Sequence, residues 1–99
     1  MKREILMKNK YPKLSNSVSL EKDVFDNNKV YLLKCPEKNL FAELNVESFT
    51  ALSFFNGENS IEQIAYNLAT KFSATKDNII DDLIDLSNRL ELLDIITIY

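Results

Sequence analysis

The stretch Leu40-Phe41-Ala42-Glu43-Leu44-Asn45-Val46-Glu47-Ser48-Phe49-Thr50-Ala51-Leu52-Ser53-Phe54-Phe55-Asn56-Gly57 contains the change of period that decides the fold. In its first five residues Leu40, Ala42 and Leu44 alternate with Phe41 and Glu43, the period-two pattern of a strand with two different faces. From Asn45 onward the apolar residues Phe49, Leu52 and Phe55 return at helical spacing, and the run stops at Asn56-Gly57. The Asn45 side chain is an acceptor of the kind that caps the free N–H groups of a first helical turn. The stretch therefore predicts a strand over 40–44 and a helix over about 46–55.

Downstream, helical spacing continues. Ser60-Ile61-Glu62-Gln63 has the form of a capping box, in which the serine and glutamine side chains each satisfy a backbone N–H of the other's residue. The helix it opens, about 60–72, carries Ile61, Ile64, Ala65, Leu68, Ala69 and Phe72 on one face. Thr75 stands where a cap is wanted for a third helix over about 76–93, whose centre line is Ile79, Leu83, Leu86, Leu90 and Leu93. Asp77 falls in its first turn, where the helix dipole favours a negative charge. Ile95 to Tyr99 reads as a short strand.

Upstream, strands are expected over about 18–25 and 30–34. Asp26-Asn27-Asn28 separates them, with residues that tolerate the left-handed backbone of a tight hairpin. A second turn at Cys35-Pro36-Glu37-Lys38-Asn39 accommodates Pro36, which cannot donate to a sheet ladder. Residues 1–17 are polar, rich in Lys and Asn, and are expected to form a flexible N-terminal arm ahead of a single domain over 18–99. The predicted class is α+β: a three-stranded antiparallel sheet followed by three helices, in a winged helix-turn-helix-like arrangement.

Composition narrows the chemistry. A chain of 99 residues that is 45% hydrophobic supports one core and one domain. It has no histidine, which removes Ser-His and Cys-His catalysis and the commonest zinc ligand. Its only glycine, Gly57, leaves no glycine-rich phosphate loop or dinucleotide fingerprint. A single cysteine, Cys35, cannot close an internal disulfide, so a reducing, cytoplasmic setting is expected. No apolar run reaches the ~18–20 residues of a membrane helix. We expect a non-enzyme without metal or cofactor. The net charge of −3 divides into +4 over residues 1–40 and −7 over residues 41–99.

Two surfaces are candidates for binding. The strand over Leu40, Phe41, Ala42, Glu43 and Leu44 lies at the edge of a three-stranded meander, and an edge can accept an added peptide strand unless the Ile95–Tyr99 tail or the N-terminal arm covers it. On the third helix Ile80, Ile84 and Ser87 form a second line beside the centre line: either a core wider than usual or one wall of an apolar groove. In the groove reading, Ile84→Asp weakens binding and spares the fold. Ala42→Pro blocks the added strand if the Ala42 N–H faces outward. Asp81, Asp82 and Asp85 read as a solvated acidic face able to attract a basic peptide. Cys35, before a proline in a turn, with no histidine in the chain and no helix start beside it, reads as structural.

Leu32-Leu33, Pro36-Glu37, Leu44-Asn45-Val46-Glu47-Ser48, Leu52, Asn56-Gly57, Ser60-Ile61-Glu62-Gln63-Ile64, Leu68-Ala69 and Phe72 together resemble the PqqD-like family, over about residues 18–93. These are the recognition elements for precursor peptides that are made on the ribosome and then modified. Two positions depart from the pattern: Val46 replaces a frequent proline, and Leu90-Glu91 stands where a glycine often ends the third helix. The resemblance implies a three-stranded sheet packed on three helices. It also implies a leader peptide bound as an added strand along Leu40, Phe41, Ala42, Glu43 and Leu44, in a groove walled by Ile80, Asp81, Ile84, Ser87 and Asn88. Its implied partners are the precursor peptide and a maturation enzyme such as a radical SAM protein or a leader peptidase.

Two rival functions stay open at this point. Helix-turn-helix architecture suggests nucleic-acid binding, but from residue 74 onward Lys76 and Arg89 face Asp77, Asp81, Asp82, Asp85, Glu91 and Asp94, a balance that repels a duplex. The other is a general protein-interaction module, for example a homodimer joined through Ile95–Tyr99.

Overall fold

A computed structural model describes residues 7–99 of the chain, so the first six residues of the expected arm lie outside the described residues. In order, the elements are β1 (Pro12–Leu14), β2 (Ser19–Phe25), β3 (Asn28–Cys35), a 3-10 turn (Pro36–Lys38), β4 (Leu40–Leu44), α1 (Val46–Ser53), α2 (Ile61–Phe72), α3 (Lys76–Leu92) and β5 (Ile96–Ile98). The class is α+β: the described residues form a three-stranded antiparallel sheet in the order β2-β3-β4, the three helices named above, and a separate two-stranded sheet, β1-β5.

Local sequence explains the meander. Asp26 and Asn27 adopt φ of 50° and 68°, so the β2–β3 loop has the two left-handed central residues of a type I′ turn, whose twist matches that of the flanking strands. Phe25 and Asn28 face each other across it. After β3, Pro36 starts the 3-10 turn and Asn39, at φ 53°, closes it by donating its N–H to the Pro36 carbonyl at 2.9 Å. Both turns rely on short polar side chains that tolerate positive φ.

Helix starts follow the caps, with one exception. The Asn45 side chain accepts from the Ser48 N–H at 2.7 Å, and the Ser60–Gln63 capping box is complete, with bonds of 3.1 and 2.8 Å. Thr75 occupies the N-cap position of α3 with extended backbone, but its side chain makes no capping bond. Expected as a cap, Thr75 supplies the conformation without the hydrogen bond. At the other end α3 runs through Leu90-Glu91 to Leu92, and Asp94, at φ 59°, turns the chain into β5.

Residues 7–17 depart from the arm expected there. β1 pairs with β5, matching Pro12 to Ile98 and Leu14 to Ile96. On its other side Leu14 donates to the Phe55 carbonyl at 2.9 Å, and Gly57 donates to the Pro12 carbonyl at 3.0 Å. Gly57 needs its φ of 80° for this turn, and an added Cβ would lie 3.3 Å from the Lys13 side chain. Just upstream, the carbonyls of Lys10 and Lys8 accept from Ile61 and Glu62 at 2.9 Å each, satisfying N–H groups that the first turn of α2 cannot satisfy internally. All these partners are more than forty residues away in sequence or lie at the far end of the chain, so composition does not reveal them.

The core forms where one face of the sheet meets the helices. Leu33 and Cys35 from β3, Ala51 and Leu52 from α1, and Ile61, Ile64, Ala65 and Leu68 from α2 are buried together with Leu83, Ile84, Leu90, Ile95 and Ile96. Each large aliphatic side chain so buried contributes about 1.5–3 kcal/mol. The rings of Tyr31 and Phe49 pack in a tilted arrangement, centroids 4.9 Å apart and planes at 47°, tying β3 to α1. Cys35 is fully buried, its Sγ 3.6 Å from the Ser17 hydroxyl. Among the described residues no helix is long and apolar enough to cross a membrane.

Candidate functional site

β4 pairs with β3 along one side, and no other strand pairs with it among the described residues. β5, the segment that could have covered this edge, is occupied with β1.

Which backbone groups the edge offers follows from the first hairpin. In a two-residue turn the C=O of the first flanking residue accepts from the N–H of the second, so Phe25 and Asn28 form a hydrogen-bonded pair. Along an antiparallel ladder such pairs alternate with non-bonded ones, and successive residues of one strand direct their N–H and C=O to opposite sides. In β3, then, Asn28, Val30, Leu32 and Lys34 turn their backbone groups toward β2, while Tyr31, Leu33 and Cys35 turn theirs toward β4. Their partners there are Leu44, Ala42 and Leu40. Phe41 and Glu43 are left with N–H and C=O pointing away from the sheet. The Ala42 N–H faces β3, so Ala42→Pro is not the substitution that blocks an added strand; Phe41 and Glu43 hold the free groups.

The side chains alternate as well. Leu40, Ala42 and Leu44 are partly buried, and Leu40 and Leu44 pack against the core. Phe41, 60% exposed, and Glu43 stand on the outer face.

Two observations orient β4 against α3. Lys38, just before β4, pairs with Asp94, just after α3, at 3.4 Å. Asn45, just after β4, lines a cleft together with Asp85, Leu86 and Arg89. β4 therefore runs antiparallel to the C-terminal half of α3. The cleft has a volume of ≈ 450 Å³. Its floor is apolar, from Ala51, Leu68, Phe72, Ile79, Leu83 and Leu86; its rim carries Glu47, Asp82, Asp85 and Arg89. Among the described residues none of these three carboxylates is in an ion pair.

The helix wall differs from the one implied by the resemblance. Ile84 is 6% exposed and Ser87 0%, so both belong to the interior and neither walls an open groove. Ile80 and Asn88 are partly buried, Asp81 is exposed, and none of the three lines the cleft. Of the ten expected residues, the five of β4 form the edge, and the five of α3 lie elsewhere on the helix. The buried stripe of α3 is Leu83, Ile84, Ser87 and Leu90. Compared with the Ile79–Leu83–Leu86–Leu90–Leu93 centre line, the helix is rotated by roughly 70°, at ~100° per residue. That rotation places Ile79, Asp82, Leu86 and Arg89 at the cleft. Ser87 was the available sign: a small residue between apolar neighbours suits a position with no room for a larger one. Its hydroxyl has no hydrogen-bond partner among the described residues.

Among the described residues there is no group of three or more His, Cys, Asp or Glu side chains arranged to hold a metal ion. The site offers backbone donors and acceptors, an apolar floor and acidic charge. The chain matches no family model, no curated protein and no solved structure.

Proposed function

We propose that this chain is a peptide-binding adaptor of the PqqD-like kind, a winged helix-turn-helix-like domain that takes the leader region of a ribosomally made precursor peptide as an added strand on β4. It holds that leader for a separate modifying enzyme, such as a radical SAM protein or a leader peptidase, and performs no chemistry itself. The observation that carries the reading is the unpaired edge of β4, at Phe41 and Glu43, on a strand that ends at a cleft whose lining begins with Asn45.

The mechanism is tethering. Each main-chain hydrogen bond from the guest to Phe41 or Glu43 contributes about 0.5–1.5 kcal/mol net and is insensitive to guest sequence. Side chains entering the cleft add selectivity. Ordering a flexible leader offsets part of the gain, so the complex is of modest affinity and exchanges readily. Holding the leader raises the effective concentration of the attached core peptide at the enzyme. A cytoplasmic location suits both the translated precursor and the free thiol of Cys35.

Duplex binding is the reading disfavoured by charge. α3 presents Asp77, Asp81, Asp82, Asp85 and Glu91 against Lys76 and Arg89, and phosphates need the opposite balance. The test is a titration of the intact chain with a labelled leader from a short reading frame beside its gene, with duplex DNA in parallel. Saturable peptide binding without duplex binding supports the proposal. Salt-sensitive duplex binding without peptide binding overturns it.

A further inference from the structure

Resting on the proposal that β4 takes a guest strand, we infer that the cleft between α1, the end of α2 and α3 is a selectivity pocket for a bulky apolar side chain with a lysine or arginine within two residues of it. The dimensions set the first half of this signature. At ≈ 450 Å³ the cleft lies toward the small end of the ~300–1,000 Å³ range of ligand sites, with room for side chains but not for the length of a peptide. Its floor is closed by the buried Ala51, Leu68 and Leu83 and flanked by the partly buried Phe72, Ile79 and Leu86, so a large apolar group gains burial there.

The rim sets the second half. Glu47, Asp82 and Asp85 outnumber Arg89, and no ion pair among the described residues neutralises any of the three carboxylates. Glu43 on β4 and Asp81 on α3 add to the same sign nearby in sequence. An acidic guest is repelled from this mouth, whereas a basic side chain is steered toward it. Geometry links the halves. A guest paired to β4 directs alternate side chains inward, so residues two apart share the face that meets the cleft at Asn45. One such side chain fills the floor as its neighbour on that face reaches the rim.

Selection of a random linear peptide display library on the intact chain tests this, run in parallel on wild type and on the Asp82→Lys, Asp85→Lys double variant. Both aspartates are exposed, and a thermal melt checks the variant's fold; Asp82→Asn, Asp85→Asn replaces it if the lysine pair misfolds. The wild-type pool is expected to enrich a bulky apolar residue with Lys or Arg within two positions. The lysine pair should lose the basic preference and bind a wild-type-selected peptide about tenfold more weakly; the asparagine pair should reduce the preference in the same direction. Enrichment without basic residues, or a basic preference unchanged in the variant, overturns the pocket assignment and leaves strand addition standing. No enriched peptide on the wild-type chain overturns peptide binding itself.

Discussion

Replacing Glu43 with proline removes one outward N–H from β4 and puts a ring where an incoming strand would pair, without removing a bond of the β3–β4 ladder. The Glu43 side chain is exposed, and its neighbour Ala42 is already in the extended conformation that a following proline demands. Proline is tolerated on an edge strand when its nitrogen faces outward. Folding stability should therefore change by no more than about 0.5–1 kcal/mol. Guest binding should suffer more. Losing one hydrogen bond costs about 0.5–1.5 kcal/mol, and stranding the guest's carbonyl against the ring brings the total to about 1–3 kcal/mol, or roughly 5- to 150-fold in Kd. Ala42→Pro is the matched control, because the Ala42 N–H faces Leu33 across the ladder. There the loss falls on the fold: about 1–3 kcal/mol, or a melting temperature lowered by roughly 5–20 °C for a domain of this size. Anisotropy titration with a labelled leader and thermal melts of both variants give the comparison. Unchanged affinity in Glu43→Pro, or Ala42→Pro melting higher than Glu43→Pro, would refute the assignment of free backbone groups.

Three further expectations follow from burial and charge. Ile84→Asp buries a carboxylate at a position 6% exposed and should lower the melting temperature by more than 10 °C, at ~4–8 °C per kcal/mol; an unchanged melt with weakened guest binding would return Ile84 to a groove wall. Removing residues 95–99 takes away the buried Ile95 and Ile96 and the strand that pairs with β1, a loss of at least about 3 kcal/mol; a truncated chain that melts like the full one would contradict the role given to β5. Raising ionic strength from about 0.05 to about 0.5 M shortens the screening length about threefold and should weaken a basic guest severalfold; salt-independent affinity would contradict acidic steering.

Much of the fold is legible in the sequence because its determinants are local. The alternation at Leu40–Leu44, the Asn45 and Ser60 caps and the Asp26-Asn27 turn each act within a few residues, and each element lies within a few residues of where the pattern puts it. β1 escaped because its stability comes from distant partners, Ile96–Ile98, Phe55 and Gly57, while its own residues are Pro, Lys and Leu. The edge of the site was legible for the local reason that β4 is the last strand of a meander. Its helix wall was not, because a helix with apolar residues on more than half its circumference leaves its rotation undetermined. Packing settles that rotation in favour of Ile84 and Ser87 inside and Asp82, Leu86 and Arg89 at the cleft.

Amide hydrogen exchange, read residue by residue along β4 with and without a bound leader, bears most directly on the open edge. In the free chain Leu40, Ala42 and Leu44 should be protected by β3, while Phe41 and Glu43 exchange at rates near those of an unstructured peptide; adding the leader should protect Phe41 and Glu43 and leave the other three as they were. Protection of Phe41 and Glu43 before any peptide is added, or continued fast exchange at saturation, would contradict the account.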